Sequence, residues 1–258
     1  MKILFLADVF GVAGRNAVEE RLHALKEQHD ADLAIVNGEN VADGAGITPK
    51  LADRLLAAGA DVVTLGNHTY RREGIGAYLA QSERVIRPAN QGVHTPGRGL
   101  AVVEARNGVR VAVLSLLGAL FLDTPVSPWE VVDGLVEEAR AAAPVVVVDF
   151  HAEATSEKIA LATWLDGKVT AVLGTHTHVQ TNDARVLPGG TAAVTDAGMT
   201  GPHDSVIGVK AERAIGRMRT RQPIRFEPAE GGVRIEGVVV ECSDGGRASG
   251  IELLRVAL

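Results

Sequence analysis

The sequence is poor in several residue types, and each scarcity excludes a class of protein. A single cysteine, Cys242, allows neither an intramolecular disulfide nor a cysteine-rich zinc site. Aromatic residues make up only 3% of the chain, which argues against nucleic-acid binding through rows of stacked bases. The 26 basic residues are outnumbered by 32 acidic ones, which argues against a large basic footprint on DNA or on an anionic membrane. Because the chain has no run of 18 apolar residues and no signal-peptide core, we predict a cytoplasmic protein.

Short β-branched runs alternate with longer stretches of helical periodicity, which predicts an α/β fold with parallel strands and helical crossovers. An Asn107-Gly108 turn predicts an antiparallel hairpin over residues 100–116, and alternation near the C-terminus predicts further antiparallel strands, one of which buries Cys242. We predict strands at 3–7, 33–36, 61–65, 145–150, 170–173 and 192–195, and helices at 16–28, 49–58, 72–79, 131–142, 156–165 and 211–219. The 258 residues suit one domain spanning 1–258, to which loop insertions could add a small cap.

Polar side chains follow five of the predicted strands, at the point where each apolar run ends. They are Asp8, Glu39, Asn40, Asn67, His68, His151, His176 and His178. The carboxyl ends of parallel strands line one edge of a sheet, so these residues are expected to converge. Carboxylate, amide and imidazole groups without a thiolate suit divalent Zn, Mn or Fe. His176 and His178 are two residues apart, so in an extended segment they would point the same way.

Seven of these residues, all except His68, are too many ligands for one tetrahedral ion, and they predict two metal ions. Glu39, in the middle of the set, is the best candidate for a carboxylate that bridges two cations about 3.5–4 Å apart. His68 follows Asn67 directly, so its side chain points away from that of Asn67 and is free to donate a proton to a leaving alkoxide. Each residue alone also has another explanation. Asp8 could cap a helix, Asn67 could belong to a turn, and His68 could be an eighth ligand.

Two motifs resemble those of the calcineurin-like metallophosphoesterases. Residues 66–68 are similar to the Gly-Asn-His block of that family, and residues 174–178 are similar to its Gly-His-x-His block. The sequence departs from the general pattern at Phe10, where a histidine is usual, and at Asn37-Gly38-Glu39-Asn40, where Gly-Asp is usual.

These departures, together with the long blocks at 149–158 and 195–202, resemble the YmdB-type branch over nearly the whole chain. The resemblance implies a four-layer α/β/β/α sandwich of two mixed sheets, which is the metallophosphoesterase fold. It implies one metal held by Asp8, Glu39, Asn40 and His178, a second held by Glu39, Asn67, His151 and His176, and His68 as the proton donor. Asn40 would then replace the histidine missing at position 10, and this oxygen-rich site favours Fe or Mn over Zn.

The implied activity is the hydrolysis of phosphodiesters, notably 2′,3′-cyclic nucleotides and also 3′,5′-cyclic nucleotides, by attack of a metal-bound hydroxide on phosphorus. Two alternatives stay open: a 5′-nucleotidase or other phosphomonoesterase, and a regulatory protein that binds a nucleotide or RNA with little turnover. Arginine clusters at 71–98 and 213–225 are either solvated helix faces or contacts for an anionic substrate or RNA. His203 is predicted to border the cleft as a substrate contact, and we expect a homo-oligomer that does not bind a membrane.

Overall fold

Two β-sheets form the centre of the structure, which is a computed structural model that describes residues 1–92 and 94–258. The first sheet contains β1 (Lys2–Leu6), β2 (Leu33–Asn37), β3 (Val62–Thr64), β4 (Val85–Ile86), β11 (Gly201–Pro202), β12 (Val233–Cys242) and β13 (Ala248–Ala257). The second contains β5 (Leu100–Glu104), β6 (Arg110–Leu117), β7 (Val145–His151), β8 (Ala171–Thr175), β9 (Arg185–Val186) and β10 (Ala192–Val194). The helices are α1 (Gly11–Gln28), α2 (Pro49–Ala57), α3 (Ile75–Gln81), α4 (Pro128–Ala142), α5 (Thr155–Trp164) and α6 (Ala211–Thr220).

Both sheets are mixed, with a parallel centre and antiparallel edges. In the first, β1 to β4 run parallel in chain order, while β12 pairs antiparallel with β1, β11 and β13. In the second, β6, β7, β8 and β10 run parallel, and β5 and β9 close the edges antiparallel. The parallel centres place the carboxyl ends of several strands at one edge of each sheet.

Three apolar layers hold the elements together, and alternation along the strands assigns each side chain to one of them. In β1, Leu4 and Leu6 pack under α1, α2 and α3, whereas Ile3 and Phe5 face the second sheet. On the far face of the second sheet, residues such as Val148 pack against α4 and α5. The order is therefore helices, sheet, sheet, helices, which is the predicted four-layer sandwich. Helix α6 lies outside these layers, since only Ala214 of it is buried.

Most predicted elements are present, and the differences have local causes. Thr48 caps α2 by accepting a hydrogen bond from the Leu51 amide, and the predicted hairpin forms β5 and β6. Helix α3 begins at Ile75 instead of residue 72, because Gly74 precedes it with φ at +80°. The strands β4, β9 and β11 were not predicted, because two residues are too few to show periodicity. Among the described residues, no helix is long and apolar enough to cross a lipid bilayer.

The strand ends that carry the polar residues belong to two sheets, so they meet across a sheet interface and not along one edge. β1, β2 and β3 lie in the first sheet, and β7 and β8 lie in the second. A buried network joins them: Asn37 Nδ2 donates to Asp149 Oδ2 at 2.9 Å, and the Thr64 hydroxyl donates to the same oxygen. Face-to-face packing of the sheets is thus what brings the polar ends together.

Candidate metal centre

Three buried side chains form the floor of the candidate site. Asp8, Glu39 and His151 are fully buried, and one ligand atom of each lies within 4.8 Å of the others. Asp8 Oδ1 and Glu39 Oε1 accept no hydrogen bond from the described residues. A buried carboxylate oxygen without a donor is costly unless a cation or another donor satisfies it. The donor set therefore fits a metal ion that is coordinated by oxygen and nitrogen.

A chain of hydrogen bonds sets the tautomer of His151. Thr175 Oγ1 donates its hydrogen to Asp149 Oδ1 at 2.7 Å, so it can only accept from His151 Nδ1, which lies 2.9 Å away. The proton is thus on Nδ1, and the lone pair of His151 Nε2 faces the site. That atom lies 3.0 Å from Asn67 Oδ1 and 3.5 Å from Glu39 Oε1, both of them acceptors. A cation, and not a proton of His151, would satisfy all three atoms.

His178 is oriented in the same way by a backbone carbonyl. Its Nδ1 lies 2.9 Å from the carbonyl oxygen of Ile207, which can only accept, so Nδ1 carries the proton. The unprotonated Nε2 lies 3.9 Å from Asp8 Oδ1. The unprotonated Nε2 of His178 is therefore directed toward Asp8, and that of His151 toward Glu39.

The predicted extended segment at 176–178 is wrong, although both histidines do reach the site. His176 and His178 have φ of +99° and +63°, in the left-handed region, so this segment is a turn. The His176 backbone amide donates to Asp8 Oδ2 at 2.9 Å. Its ring lies with Nδ1 3.1 Å from His151 Nε2 and Nε2 3.0 Å from Glu153 Oε2. With its proton on Nε2 toward Glu153, His176 offers Nδ1 as a ligand atom.

Asn40 lies between two histidines. Its Nδ2 lies 3.0 Å from His178 Nε2, and its Oδ1 lies 2.8 Å from His68 Nδ1. Coordination of a metal beside His178 through the amide oxygen therefore requires the Asn40 side chain to turn over. Phe10, at the position where the general pattern has histidine, is buried and packs edge-on against His178, with ring centroids 5.6 Å apart.

His68 borders the centre and reaches solvent. Its backbone amide donates to Glu39 Oε2 at 3.0 Å, and its Nδ1 lies 3.1 Å from Glu39 Oε1. The side chain is 28% exposed and lines the cavity above the site. Because Nδ1 lies 2.8 Å from Asn40 Oδ1, Nε2 is the atom left to meet a substrate.

Burial and the neighbouring groups set the protonation states at this floor. Burial, and next the Glu39 charge, raise the pKa of Asp8 well above its usual value. Burial would also raise the pKa of Glu39, but the hydrogen bonds from His68 act to lower it. Burial lowers the pKa of His151 to about 3 and also lowers those of His176 and His178, so the three rings are neutral at pH 7. Neutral imidazoles and at least one carboxylate are the forms that bind a metal.

A cavity of about 470 Å³ opens above this centre. One side of it is polar and includes His68, His176 and His178, and the other side is apolar and includes Ile207, Phe226 and Pro228. A cavity of this size suits a small-molecule ligand such as a mononucleotide.

The structure does not bring His203 to this cavity. Its Nε2 lies 3.1 Å from the Met199 carbonyl oxygen and 3.9 Å from Glu236 Oε2, beneath the start of β12. His203 is bonded to the backbone and is absent from the residues that line the cavity. The predicted role as a substrate contact is therefore replaced by a structural one.

Several residues that shape the site were not predicted individually. Asp149, Thr175 and Glu153 orient histidines, and Ile207 supplies the carbonyl that orients His178. The sequence did point to Asp149, since its carboxylate directly follows four valines within a fully buried strand. No sequence pattern pointed to Ile207, because it is the backbone carbonyl of this residue that orients His178.

Comparison with known proteins decides the family. A family model described as "YmdB-like protein" matches residues 4–254. The chain belongs to the YmdB-like family. A Bacillus subtilis relative named 2′,3′-cyclic-nucleotide 2′-phosphodiesterase is 46% identical over 244 residues, which cover 95% of this chain and 92% of the relative.

Two crystal structures share the fold over nearly their whole length. A hypothetical protein from Thermus thermophilus superposes with a TM-score of 0.93 at 40% identity, covering 100% of this chain and 99% of that one. A protein described as a novel phosphatase from Mycoplasma pneumoniae gives a TM-score of 0.91 at 36% identity, covering 100% and 93%. The predicted YmdB-type family, the metallophosphoesterase fold and the enzyme class, a hydrolytic phosphoesterase, are thereby confirmed.

Proposed function

We propose that this protein is a two-metal phosphodiesterase that opens 2′,3′-cyclic nucleotides. The observation that carries the proposal is the pair of buried carboxylate oxygens, Asp8 Oδ1 and Glu39 Oε1, that accept no hydrogen bond from the described residues, in a group of Asp8, Glu39 and His151 whose ligand atoms lie within 4.8 Å of one another. The name of the Bacillus subtilis relative supports the 2′,3′-cyclic substrate and cleavage of the bond to the 2′-oxygen. Hydrolysis of 3′,5′-cyclic nucleotides is the secondary activity that we propose for the same site.

The donor set suits two cations that share Glu39. Asp8, Glu39, Asn40 and His178 would hold the first, and Glu39, Asn67, His151 and His176 would hold the second. Bound there, the cations supply Lewis acidity and an activated water, which phosphodiester hydrolysis requires. Three oxygen ligands at the first position favour Fe or Mn over Zn.

The chain's own residues position the substrate and deliver the proton. The His68 backbone amide donates to Glu39 Oε2 at 3.0 Å and its ring lines the cavity, so the ring stays beside the centre when the Asn40 amide turns toward a cation. Protonated His68 would donate from Nε2 to the departing 2′-oxygen while the attacking water becomes part of the phosphate. The product is a nucleoside 3′-phosphate, and the fixed ring lowers the entropic cost of the proton transfer.

Metal analysis and turnover together test the proposal. The wild-type protein should contain about two equivalents of Fe or Mn and hydrolyse adenosine 2′,3′-cyclic phosphate faster than p-nitrophenyl phosphate. Glu39→Gln should lose at least one equivalent, whereas Glu83→Gln, whose side chain is 76% exposed, should keep both. Preference for the monoester would support a phosphomonoesterase, and tight nucleotide binding without product would support a regulatory binding protein.

Proton donation by His68 has its own test. His68→Ala should keep the metals and lose most turnover of the cyclic nucleotide, while His23→Ala, whose side chain is 83% exposed, should behave as wild type. Loss of metal in His68→Ala would instead identify His68 as a ligand.

We also propose that residues 1–258 act as one domain, with α6 and the segment at 206–228 as a small cap over the site. Pairing of β12 with β1 supports this, because it ties the C-terminal strands to the first. Homo-oligomerisation, a cytoplasmic location and contact with RNA stay predictions from the sequence.

A further inference from the structure

An unusual turn forms the apolar wall of the cavity. Val206 and Val209 exchange backbone hydrogen bonds at 2.8 and 3.0 Å, which leaves Ile207 and Gly208 as a two-residue hairpin loop. Their φ values, +46° and +99°, are those of a type I′ turn. Such a turn favours Asn, Asp or Gly at its first central position, and a β-branched residue there is an outlier.

Ile207 is therefore retained against its local backbone preference. Its carbonyl orients His178, but any residue would supply that carbonyl. Its side chain is 51% exposed and lines the same cavity as His68 and His176. Since local preference is most often broken at functional positions, the exposed isoleucine side chain points to a ligand contact.

Phe226 lies on the same wall. Val209 bridges Pro228, and the Lys210 amide donates to the Glu227 carbonyl at 2.9 Å, so the 226–228 segment runs beside the turn. Phe226 is 43% exposed and lines the cavity. The Arg217 guanidinium lies 4.8 Å from the ring centroid and does not line the cavity, so it supports the ring from outside.

The charges of the lining residues indicate which part of a ligand would contact Ile207 and Phe226. Apart from Glu39 and the histidines of the centre, the charged residues that line the cavity are the carboxylates Asp43, Glu153 and Glu227. The cations that pair with Asp43 and Glu227 are Arg72, Lys210 and Arg213, and they do not line the cavity. Among the described residues, the lining offers no lysine or arginine to bind a second phosphate, whereas a flat, uncharged ring would bury apolar surface against Phe226 and Ile207.

We infer that Phe226 and Ile207 form a subsite for the nucleobase, so that the protein selects nucleotides over phosphodiesters that lack a base. This inference rests on the proposed function, because it takes the phosphate to lie at the metal centre. The base stacks on Phe226 and contacts the Ile207 side chain.

Comparison of a nucleotide with its base-free analogue tests the subsite. The measurement is the ratio of kcat/KM for adenosine 2′,3′-cyclic phosphate to that for ribose 2′,3′-cyclic phosphate. Loss of one base–aromatic stack should lower this ratio about 5- to 150-fold in Phe226→Ala. Phe121→Ala is the matched control, because Phe121 is 86% exposed and does not line the cavity. An unchanged ratio in Phe226→Ala would overturn the subsite.

Ile207→Asn separates ligand contact from a structural role. Asparagine suits the type I′ turn better, so the variant should unfold at a temperature no lower than wild type while its ratio falls. A wild-type ratio in the folded variant would remove Ile207 from the subsite. A cyclic phosphate with a cyclohexyl group in place of the base, turned over as fast as the nucleotide, would show a general apolar contact and overturn the inference.

Calorimetry with adenosine 3′-monophosphate and ribose 3-phosphate makes the subsite testable without turnover. If the manganese-loaded wild type hydrolyses no cyclic phosphate, the proposed function fails, and binding decides the inference alone. Tighter binding of the nucleotide, lost in Phe226→Ala, would support the subsite, and equal affinities in wild type would overturn it.

Discussion

Removal of the Thr175 hydroxyl should weaken metal binding at this site as well as lower the stability of the fold. In Thr175→Val, a substitution of similar volume, His151 Nδ1 loses its acceptor and Asp149 Oδ1 loses the one donor it has among the described residues. Without the acceptor, His151 is free to place its proton on Nε2, where Asn67 Oδ1 lies 3.0 Å away. A proton on Nε2 blocks coordination by that atom.

The expected magnitudes follow from the two broken contacts. Loss of the group that orients a metal-binding histidine costs about 10- to 100-fold in affinity, or about 1.4–2.7 kcal/mol. Two buried groups without partners, at about 1–3 kcal/mol each, should also lower the free energy of unfolding by about 2–6 kcal/mol.

Thr64→Val is the matched control, because Thr64 is equally buried and bonds the same carboxylate. It donates to Asp149 Oδ2, which keeps the Asn37 amide as a second donor, and it does not touch His151. Thr175→Ser keeps the hydroxyl and should keep the affinity.

Manganese titration of the metal-free proteins, together with urea unfolding, measures both effects. We expect Thr64→Val to lose stability and bind manganese within about threefold of wild type, well below the 10- to 100-fold loss expected for Thr175→Val. Equal manganese affinity in Thr175→Val and Thr64→Val would refute the argument that Thr175 fixes the tautomer of His151.

Three further predictions concern single positions. A methyl group in Gly66→Ala would lie 2.5 Å from both Glu39 Oε2 and His151 Nε2, so the metal content should fall, and wild-type metal content in this variant would contradict the reasoning. The control Gly134→Ala, in helix α4, meets nothing within 4 Å and should raise the stability by about 0.5–1 kcal/mol. Burial raises the pKa of the Cys242 thiol to about 11, so iodoacetamide should label it slowly at pH 8 in the native protein and rapidly in urea, and equal rates would place the thiol at the surface. Lys158→Met should destabilise the protein by about 3–5 kcal/mol, because Lys158 Nζ lies 2.9 Å from Asp196 Oδ2 and both side chains are buried. A smaller loss in urea unfolding would show that the Thr177 and Gly198 donors suffice for Asp196.

The sequence predicts the layers of this fold well because they depend on periodicity. In the buried strand Val145–His151, for example, the first four residues are valines, and helix α2 has both its cap and its first-turn proline. The convergence of ligand-type residues was also predictable, since each one lies at the end of such a strand or shortly after it.

The sequence could not show that the converging strands belong to two sheets. The pairing of β7 with β6 and β8, instead of β3, depends on contacts between distant residues, for which alternation gives no register. His203 was misplaced for a similar reason: it follows a Gly-Pro pair near the site in sequence, but β11 pairs with β12 and turns the imidazole toward Met199.

Backbone strain at the centre is held by contacts between the loops themselves. Asp8, His176, His178 and Ile207 all have positive φ, a conformation that costs non-glycine residues on the order of 1–3 kcal/mol each. They bond one another in pairs: the His176 amide donates to Asp8 Oδ2, and His178 Nδ1 donates to the Ile207 carbonyl. Each pair joins a loop that follows β8 to a different part of the chain, so neither loop could relax without releasing its partner. The same bonds that maintain the strain also aim Asp8 Oδ1 and His178 Nε2 inward, so the ligand atoms are positioned by the protein before any cation binds.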